Sequence, residues 1–279
     1  MSDFGKELAV MNAAALEAAA IAARFTRKGF AVRGKRAPNF NSFVTDADVA
    51  CERAIKRRLS KAFPDYAFYG EEDGKTKRYS EHARRFIVDP IDGTHNFTRD
   101  LPDYGPLIAL QVDGDIVAGV AHTAHAGNLY WAERGHGTFR STRGAPAQRV
   151  HVSNIARLKD ATVVFDHLQG MGGARPYDRF EPRVKIARCL GQLVAYVLLA
   201  DGRADVAVSP FWKPWDLATP KILIEEAGGT WSNQRGERGW RTVENPGHTA
   251  YDTPAHDWII ATNAKLHAQA LRAFNAKTR

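Results

Sequence analysis

The stretch Arg85-Phe86-Ile87-Val88-Asp89-Pro90-Ile91-Asp92-Gly93-Thr94-His95-Asn96-Phe97 constrains what this chain can fold into more than any other. It reads as a buried apolar strand running into two carboxylates three residues apart, with a Gly-Thr pair behind them. Strand residues stop at Val88 and Pro90 cannot donate a ladder hydrogen bond, so the acids are expected where the strand ends. Sites in α/β architectures gather at such ends, and two acids there are placed to hold a cation. If a helix or turn opens at Gly93, the N–H groups of Gly93 and Thr94 can receive a phosphate. The stretch thus asks for a layered frame of strands and helices, and for further acids to complete a cation–phosphate site.

The bulk of the chain permits such a frame. Its 279 residues are 44% hydrophobic and 25% charged, an ordinary globular balance that suits one large domain or two halves of roughly 150 residues each. No apolar run reaches the length of about 18 residues expected of a membrane span. The opening Met1-Ser-Asp-Phe-Gly-Lys has an acid near its start, and Asn12 and Glu17 interrupt the Ala-rich segment behind it, which is not the pattern of a secretory signal. Cys51 and Cys189 are the only cysteines and neither has a CxxC partner; a reduced, cytoplasmic interior without zinc is expected. A formal charge of +8 could favour nucleic acid, an anionic surface or an acidic small substrate. The basic clusters (Arg33-Gly-Lys-Arg36, Arg53, Lys56-Arg57-Arg58 and Lys75 to Arg78) lack interleaved aromatics, so a solvated surface is the preferred reading and nucleic acid is not an expected partner.

In chain order, apolar residues at three-to-four spacing predict a helix over about 3–25 stopped by Gly29, then a polar loop from Arg33 to Ser42. Phe43 to Asp48 leads into a second helix over about 49–63, with Asp46 and Asp48 where capping favours acids. A short strand, Tyr66 to Tyr69, ends in Gly70-Glu71-Glu72-Asp73-Gly74. After the opening stretch, the runs 105–113, 116–124 and 128–133 alternate with turn signals and predict an antiparallel meander. Residues 148–152 continue it. The second half begins near Asp160 with a strand over 161–165 and a Gly-rich loop (Gly170, Gly172, Gly173) that lacks phosphate-binding spacing. Helices are expected around 181–189 and 190–199, and a strand over 204–208. A helix from Trp215 to Gly229 follows, with Pro220 as a first-turn proline or a kink, and then a closing strand (258–261) and helix (265–274). Strands and helices mix without strict alternation. That fits an α+β chain of two layered halves better than a doubly wound parallel sheet: residues 1–155 with the Gly-Glu-Glu and Asp-Pro-Ile-Asp-Gly-Thr elements, and residues 156–279 with Pro-Trp-Asp.

Singly, Asp216 could merely cap its helix and Glu71 could be a solvated loop residue. Grouped, carboxylates with a backbone carbonyl and no His or Cys suit magnesium or manganese, and several can hold two or more ions for attack of water on a phosphate ester. These motifs resemble the inositol monophosphatase family of magnesium-dependent, typically lithium-inhibited phosphatases, and the similarity runs through most of the chain. The resemblance implies that Glu71, Asp89, the carbonyl of Ile91, Asp92 and Asp216 hold two or three Mg²⁺ ions. It implies that Thr94 and Asp48 orient and deprotonate the attacking water, and that Gly93, Thr94 and Asp216 contact the substrate or its phosphate. It also implies a layered α-β-α-β-α sandwich, commonly a homodimer, acting on a small phosphorylated metabolite.

The departures concern the substrate. Ser209 stands where members acting on inositol usually carry Glu, Gly191-Gln192-Leu193-Val194 replaces Gly-Ser/Thr-Ala-Ala, Ser42 replaces an acid, and Pro38-Asn39-Phe40-Asn41 replaces a lysine- or glycine-rich lead-in. Residues 195–206 and Leu101-Pro-Asp-Tyr104 resemble the histidinol-phosphate phosphatase branch, which also usually keeps an acid where Ser209 lies. His95, His122 and His125 read as core or surface residues rather than ligands. The expected activity is hydrolysis of a small polyol, sugar or amino-alcohol phosphate. Histidinol-phosphate phosphatase and nucleotide 3′-phosphatase or bisphosphatase are alternatives on the same core, and a nucleic-acid or transcription-machinery binding protein is the alternative of another class.

Overall fold

The computed structural model describes residues 2–35, 42–75, 84–166, 176–210, 213–238, 240 and 258–276. Helix α1 (Gly5–Lys28) buries Leu8, Met11, Ala14, Ala15, Ala18 and Ala22 along one stripe and ends at Gly29, whose φ of 82° is cheap only for glycine. Among the described residues it alone is long and apolar enough to cross a membrane, yet that stripe lies in the protein core. Part of the expected polar loop is instead strand β1 (Val32–Lys35), antiparallel to β2 (Ser42–Thr45) with Val32 opposite Thr45. The Pro38–Asn41 lead-in lies outside the described residues, as does the Gly170–Gly173 loop.

Helix α2 (Asp46–Ala62) starts three residues before its expected position. Thr45 is the reason: its Oγ1 accepts the amides of Ala47 and Asp48, while the Asp48 carboxylate accepts the Thr45 amide, a capping box that satisfies the first turn. Strands β3 (Ala67–Gly70), β4 (Gly74–Lys75) and β5 (Arg84–Asp92) follow, then the single-turn helix α3 (Thr94–Thr98). The meander is β6 (Gly105–Val112), β7 (Asp115–Thr123), β8 (Asn128–Glu133), β9 (Gly137–Thr142) and β10 (Gln148–Val150). These form an eight-stranded sheet in the order β10-β9-β8-β7-β6-β5-β3-β4, antiparallel except where β3 runs parallel to β5. Strand β5 does not stop at Val88. It passes through Pro90 to Asp92, and its pairing with β6 is irregular between Asp89 and Asp92, which is where a residue without an N–H is tolerated.

The second sheet is built from β11 (Thr162–Phe165), β12 (Ile186–Cys189), β13 (Val206–Pro210), β14 (Thr230–Asn233) and β15 (Trp258–Thr262), in the order β12-β11-β13-β15-β14. Helices α4 (Pro176–Phe180), α5 (Gln192–Ala200), α6 (Pro214–Glu226) and α7 (His267–Phe274) complete the chain. The helix expected over 181–189 is a correction. Residues 181–183 make one tight turn, and 186–189 pair parallel with β11 as an edge strand, a tertiary choice that a short, half-exposed run does not announce. Pro220 is likewise inside α6, in its second turn rather than its first.

Five layers result. Helices α1 and α2 cover one face of the large sheet. Helices α5 and α6 fill the space between the sheets, joining Ile87, Leu107 and Tyr130 to Val164, Ala207 and Ile259 in one core. Helices α4 and α7 cover the outer face of the small sheet. This is the α-β-α-β-α sandwich, and residue Leu217 through Ile224 of α6 is buried without interruption because a sheet lies on each side.

Candidate active site

The irregular end of β5 and the first turn of α6 meet in one place. Carboxylate oxygens of Asp89, Asp92 and Asp216 all lie within 4.8 Å of one another. Each is held by a backbone amide: Asp89 Oδ1 accepts from Ile91 N at 2.9 Å, Asp92 Oδ2 from Leu193 N at the start of α5 at 2.8 Å, and Asp216 Oδ2 from Lys213 N at 2.8 Å. The capping reading of Asp216 is therefore correct and incomplete, since one oxygen caps α6 while the residue also stands in the acid group.

Grouping acids in a buried place costs free energy, and the carboxyls register it. Burial first, and then the charges of Glu71, Asp92 and Asp216, hold Asp89 well above the usual carboxylate range. Burial followed by Asp216 and Asp166 does the same to Asp92. Asp216 is pushed up to about 6, chiefly by burial and against the Lys213 amide. A divalent cation would relieve the same repulsion. The all-oxygen donor set, free of His and Cys, fits a hard ion such as Mg²⁺ or Mn²⁺.

Glu71 follows β3, and its amide donates to Val88 O at 3.1 Å, so it lies beside β5. Its charge reaches Asp89 and Asp92, but its carboxylate is outside the compact trio. Thr94 Oγ1 lies 3.1 Å from Asp48 Oδ1 and 3.1 Å from the carbonyl of Ile91. Asp48 is fully buried, and its other oxygen, Oδ2, accepts from Thr45 N at 2.7 Å and Thr45 Oγ1 at 2.5 Å. One carboxylate thus starts α2 and meets Thr94. Gly93 between these groups has φ of 82°, and a Cβ there would come within 2.6 Å of Asp103 O, so only glycine allows the turn. Of the histidines, His122 is buried in β7, where burial lowers its ring to about 4, while His95 and His125 are exposed. None belongs to the acid group.

Two residues escaped the sequence reading. Glu52, nearly fully buried on α2, accepts the amides of Glu72 at 2.9 Å and Asp73 at 2.6 Å and fills the space a Cβ on Gly70 would need. It shapes the turn carrying Glu71, and its signal was present: Glu52 is four residues after Asp48, on the same helix face. Asp166, just past β11, had no such signal. Its Oδ2 lies 3.1 Å from Ser209 Oγ, which is also 3.0 Å from Pro210 O, and its charge reaches Asp92.

Comparison with known proteins supplies an independent reading. The sequence pattern of the inositol monophosphatase family matches residues 6–278. A histidinol-phosphatase of Mycobacterium tuberculosis is 36% identical over 236 residues, covering 84% of this chain and 85% of that protein. An inositol-1-monophosphatase of Rhizobium meliloti is 34% identical over 214 residues, covering 72% and 75%. Among solved structures, the extragenic suppressor protein suhB of Bartonella henselae superposes with a TM-score of 0.82 at 29% identity, covering 97% of this chain and 99% of that one.

Proposed function

The chain belongs to the inositol monophosphatase family, and from that premise we propose that it is a Mg²⁺-dependent phosphomonoesterase that hydrolyses a small polyol, sugar or amino-alcohol phosphate. In this proposal Asp89, Asp92 and Asp216, with Glu71 and the Ile91 carbonyl, hold the metal. The amides of Gly93 and Thr94 receive phosphate oxygens, and Asp216 borders the bound ester. Bound Mg²⁺ supplies an acidified water and offsets charge growing on the leaving oxygen.

The observation that carries the reading is the Thr94–Asp48 hydrogen bond standing beside the three grouped acids. In this proposal Thr94 Oγ1 gives its single proton to Asp48 Oδ1 rather than to the equidistant Ile91 carbonyl, and so turns a lone pair outward. A water hydrogen accepted there aims the water oxygen at phosphorus, and the proton passes through Thr94 to Asp48 as the P–O bond breaks. A cytoplasmic homodimer inhibited by lithium belongs to the same proposal. The reduced compartment is supported by Cys51 and Cys189, both free thiols.

The histidinol-phosphate branch is supported by the 36% identical relative of that name, while Ser209 weighs against a simple transfer of substrate. A nucleic-acid binding role has less support, because Arg33, Lys56, Arg57 and Arg58 are all engaged with Asp46, Asp73 or Glu17. The test is phosphate release by magnesium-loaded protein from inositol phosphates, histidinol phosphate, sugar phosphates and adenosine bisphosphate, with and without lithium. Turnover of at least one ester is expected, with a loss on the order of 10²–10⁴-fold in kcat for Thr94→Val. Silence across the panel, or full activity in Thr94→Val, contradicts the proposal.

A further inference from the structure

The α1 face of the large sheet carries a second concavity. Strands β7, β8 and β9 set His122 opposite Leu129 and Leu129 opposite Ser141, so these side chains share one face. Trp131, two residues along β8, lies on the same face and stacks on Phe139 with ring centroids 5.9 Å apart. Asn12 and Leu16 of α1 form the other wall. Gly127 and Arg143, from two neighbouring hairpin turns, close one end. The Arg143 amide donates to Gly127 O at 2.7 Å, and an added Cβ on Gly127 would come within 2.8 Å of Arg143 Cγ, so the arginine stem lies across that glycine. The cleft encloses about 440 Å³, the size of a small-molecule site, and shares no residue with the acid group or with Thr94 and Asp48. Two of its lining residues are left incomplete. His122 is 7% exposed and its Nδ1 has no hydrogen-bond partner, and Asn12 Oδ1 is buried and unpartnered in the same way. Buried polar atoms in that condition are costly and call for a polar group. Burial lowers the His122 ring to about 4, so it is neutral at pH 7. The charge in the lining is then the Arg143 guanidinium, with no carboxylate beside it. Leu16, 49% exposed, is one of three large apolar side chains so open among the described residues.

We propose that this cleft is a binding site for a small hydroxylated aromatic carboxylate: Arg143 takes the carboxylate, Leu16, Leu129 and Trp131 hold the ring, and Asn12 and His122 meet the hydroxyl. One cation balances one negative charge, and the planar guanidinium matches a carboxylate with two parallel hydrogen bonds. Two aliphatic side chains and an indole give the ring apolar and aromatic contact. A hydroxyl both donates and accepts, which suits a carbonyl oxygen and an imidazole nitrogen alike. Asn and His end in broad, roughly two-fold torsions, so a turn of the amide or the ring brings either atom to the cleft without moving the backbone. A flat protein surface laid over Leu16 would leave both atoms unpaired. The site is separate from the phosphomonoesterase reading and stands or falls without it.

The experiment titrates the whole, magnesium-loaded protein with 4-hydroxybenzoate and 4-hydroxyphenylacetate, with the amides of both, and with benzoate. Calorimetry gives the affinity, and the NMR signal of the Trp131 indole N–H, assigned through Trp131→Phe, gives the place. At least one hydroxy acid should bind with a Kd of about 1 mM or tighter and move the Trp131 signal. Its amide should bind roughly 10-fold more weakly, benzoate roughly 5-fold more weakly, and Arg143→Gln should bring acid and amide level. Leu16→Trp, which fills the cleft from an exposed position, should abolish binding and serves if Arg143→Gln does not fold. A carboxylate held by the active-site metal would survive both substitutions and leave Trp131 unmoved. That outcome, equal binding of acid and amide, equal binding of benzoate, or no binding up to about 10 mM overturns the inference. A change of oligomeric state in Leu16→Trp, seen by sedimentation while no acid binds the wild type, assigns the cleft to a contact between copies of the chain and overturns it too.

Discussion

The two walls of the site are assembled in different ways. On one, Asp89, Ile91, Asp92, Gly93 and Thr94 come from six consecutive residues, tied to one another by the Asp89–Ile91 amide bond and the contact of Thr94 with the Ile91 carbonyl. On the other, Asp166, Ser209 and Tyr196 come from three separate elements and meet only because β11 and β13 pair in one register with α5 packed against them. A wall written in one short stretch has its relative positions limited by local backbone geometry. A wall assembled by register holds its residues together only while distant strands and a helix keep their packing.

Substitutions on the two walls should therefore behave differently. The largest effect is expected from Asp92→Asn, which alters both the acid group and the acceptor for the Leu193 amide. Phosphate release should fall on the order of 10³-fold for every ester alike. A loss confined to some esters, measured as kcat/KM across the phosphomonoester panel, would merge the two walls into one. Next comes Glu52→Gln, behind the Glu71 turn. It keeps an acceptor but removes the charge that holds two amides, and the Mg²⁺ concentration for half-maximal activity should rise roughly 10- to 100-fold. An unchanged Mg²⁺ requirement would show that the turn holds itself.

The smallest effect is on stability. Asp89, Asp92 and Asp216 all titrate above the ordinary carboxylate value in the folded protein. Metal-free protein therefore binds more protons folded than unfolded, and their contribution is greatest at low pH and is lost as pH rises through about 6, the value for Asp216. Stabilisation by Mg²⁺ should grow over the same window, seen as a wider gap between melts in Mg²⁺ and in chelator at about pH 7.5 than at about pH 5. Taking the gap cancels the opposite contribution of His122 and His267, whose buried rings sit at about 4 and lose stability as pH falls below the ordinary histidine value. A gap that does not change with pH would mean that the metal bypasses the three acids.

Much of this was legible in the chain. The meander strands, the long N-terminal helix and the Trp215 helix announced themselves through periodicity and glycine stops, because burial on one face imposes a period. Asp48 and Asp216 looked like helix caps and are helix caps, and their second oxygens carry the remainder. The failures share a cause. Residues 186–189 became an edge strand, and β5 ran on through Pro90, because partners distant in sequence supplied or excused the hydrogen bonds.

The sequence by itself determined the wall from Asp89 to Thr94, since consecutive residues on a strand end and turn have their relative positions limited by local backbone geometry. Only the tertiary structure decided that Glu52 shapes the turn of Glu71 and that Asp166 stands beside Ser209. Those neighbours lie 43 positions apart in the chain, in the case of Asp166 and Ser209, and no local rule measures such a distance. Sheet register and helix packing do, because they bury the apolar faces of both strands at once and leave their ends side by side.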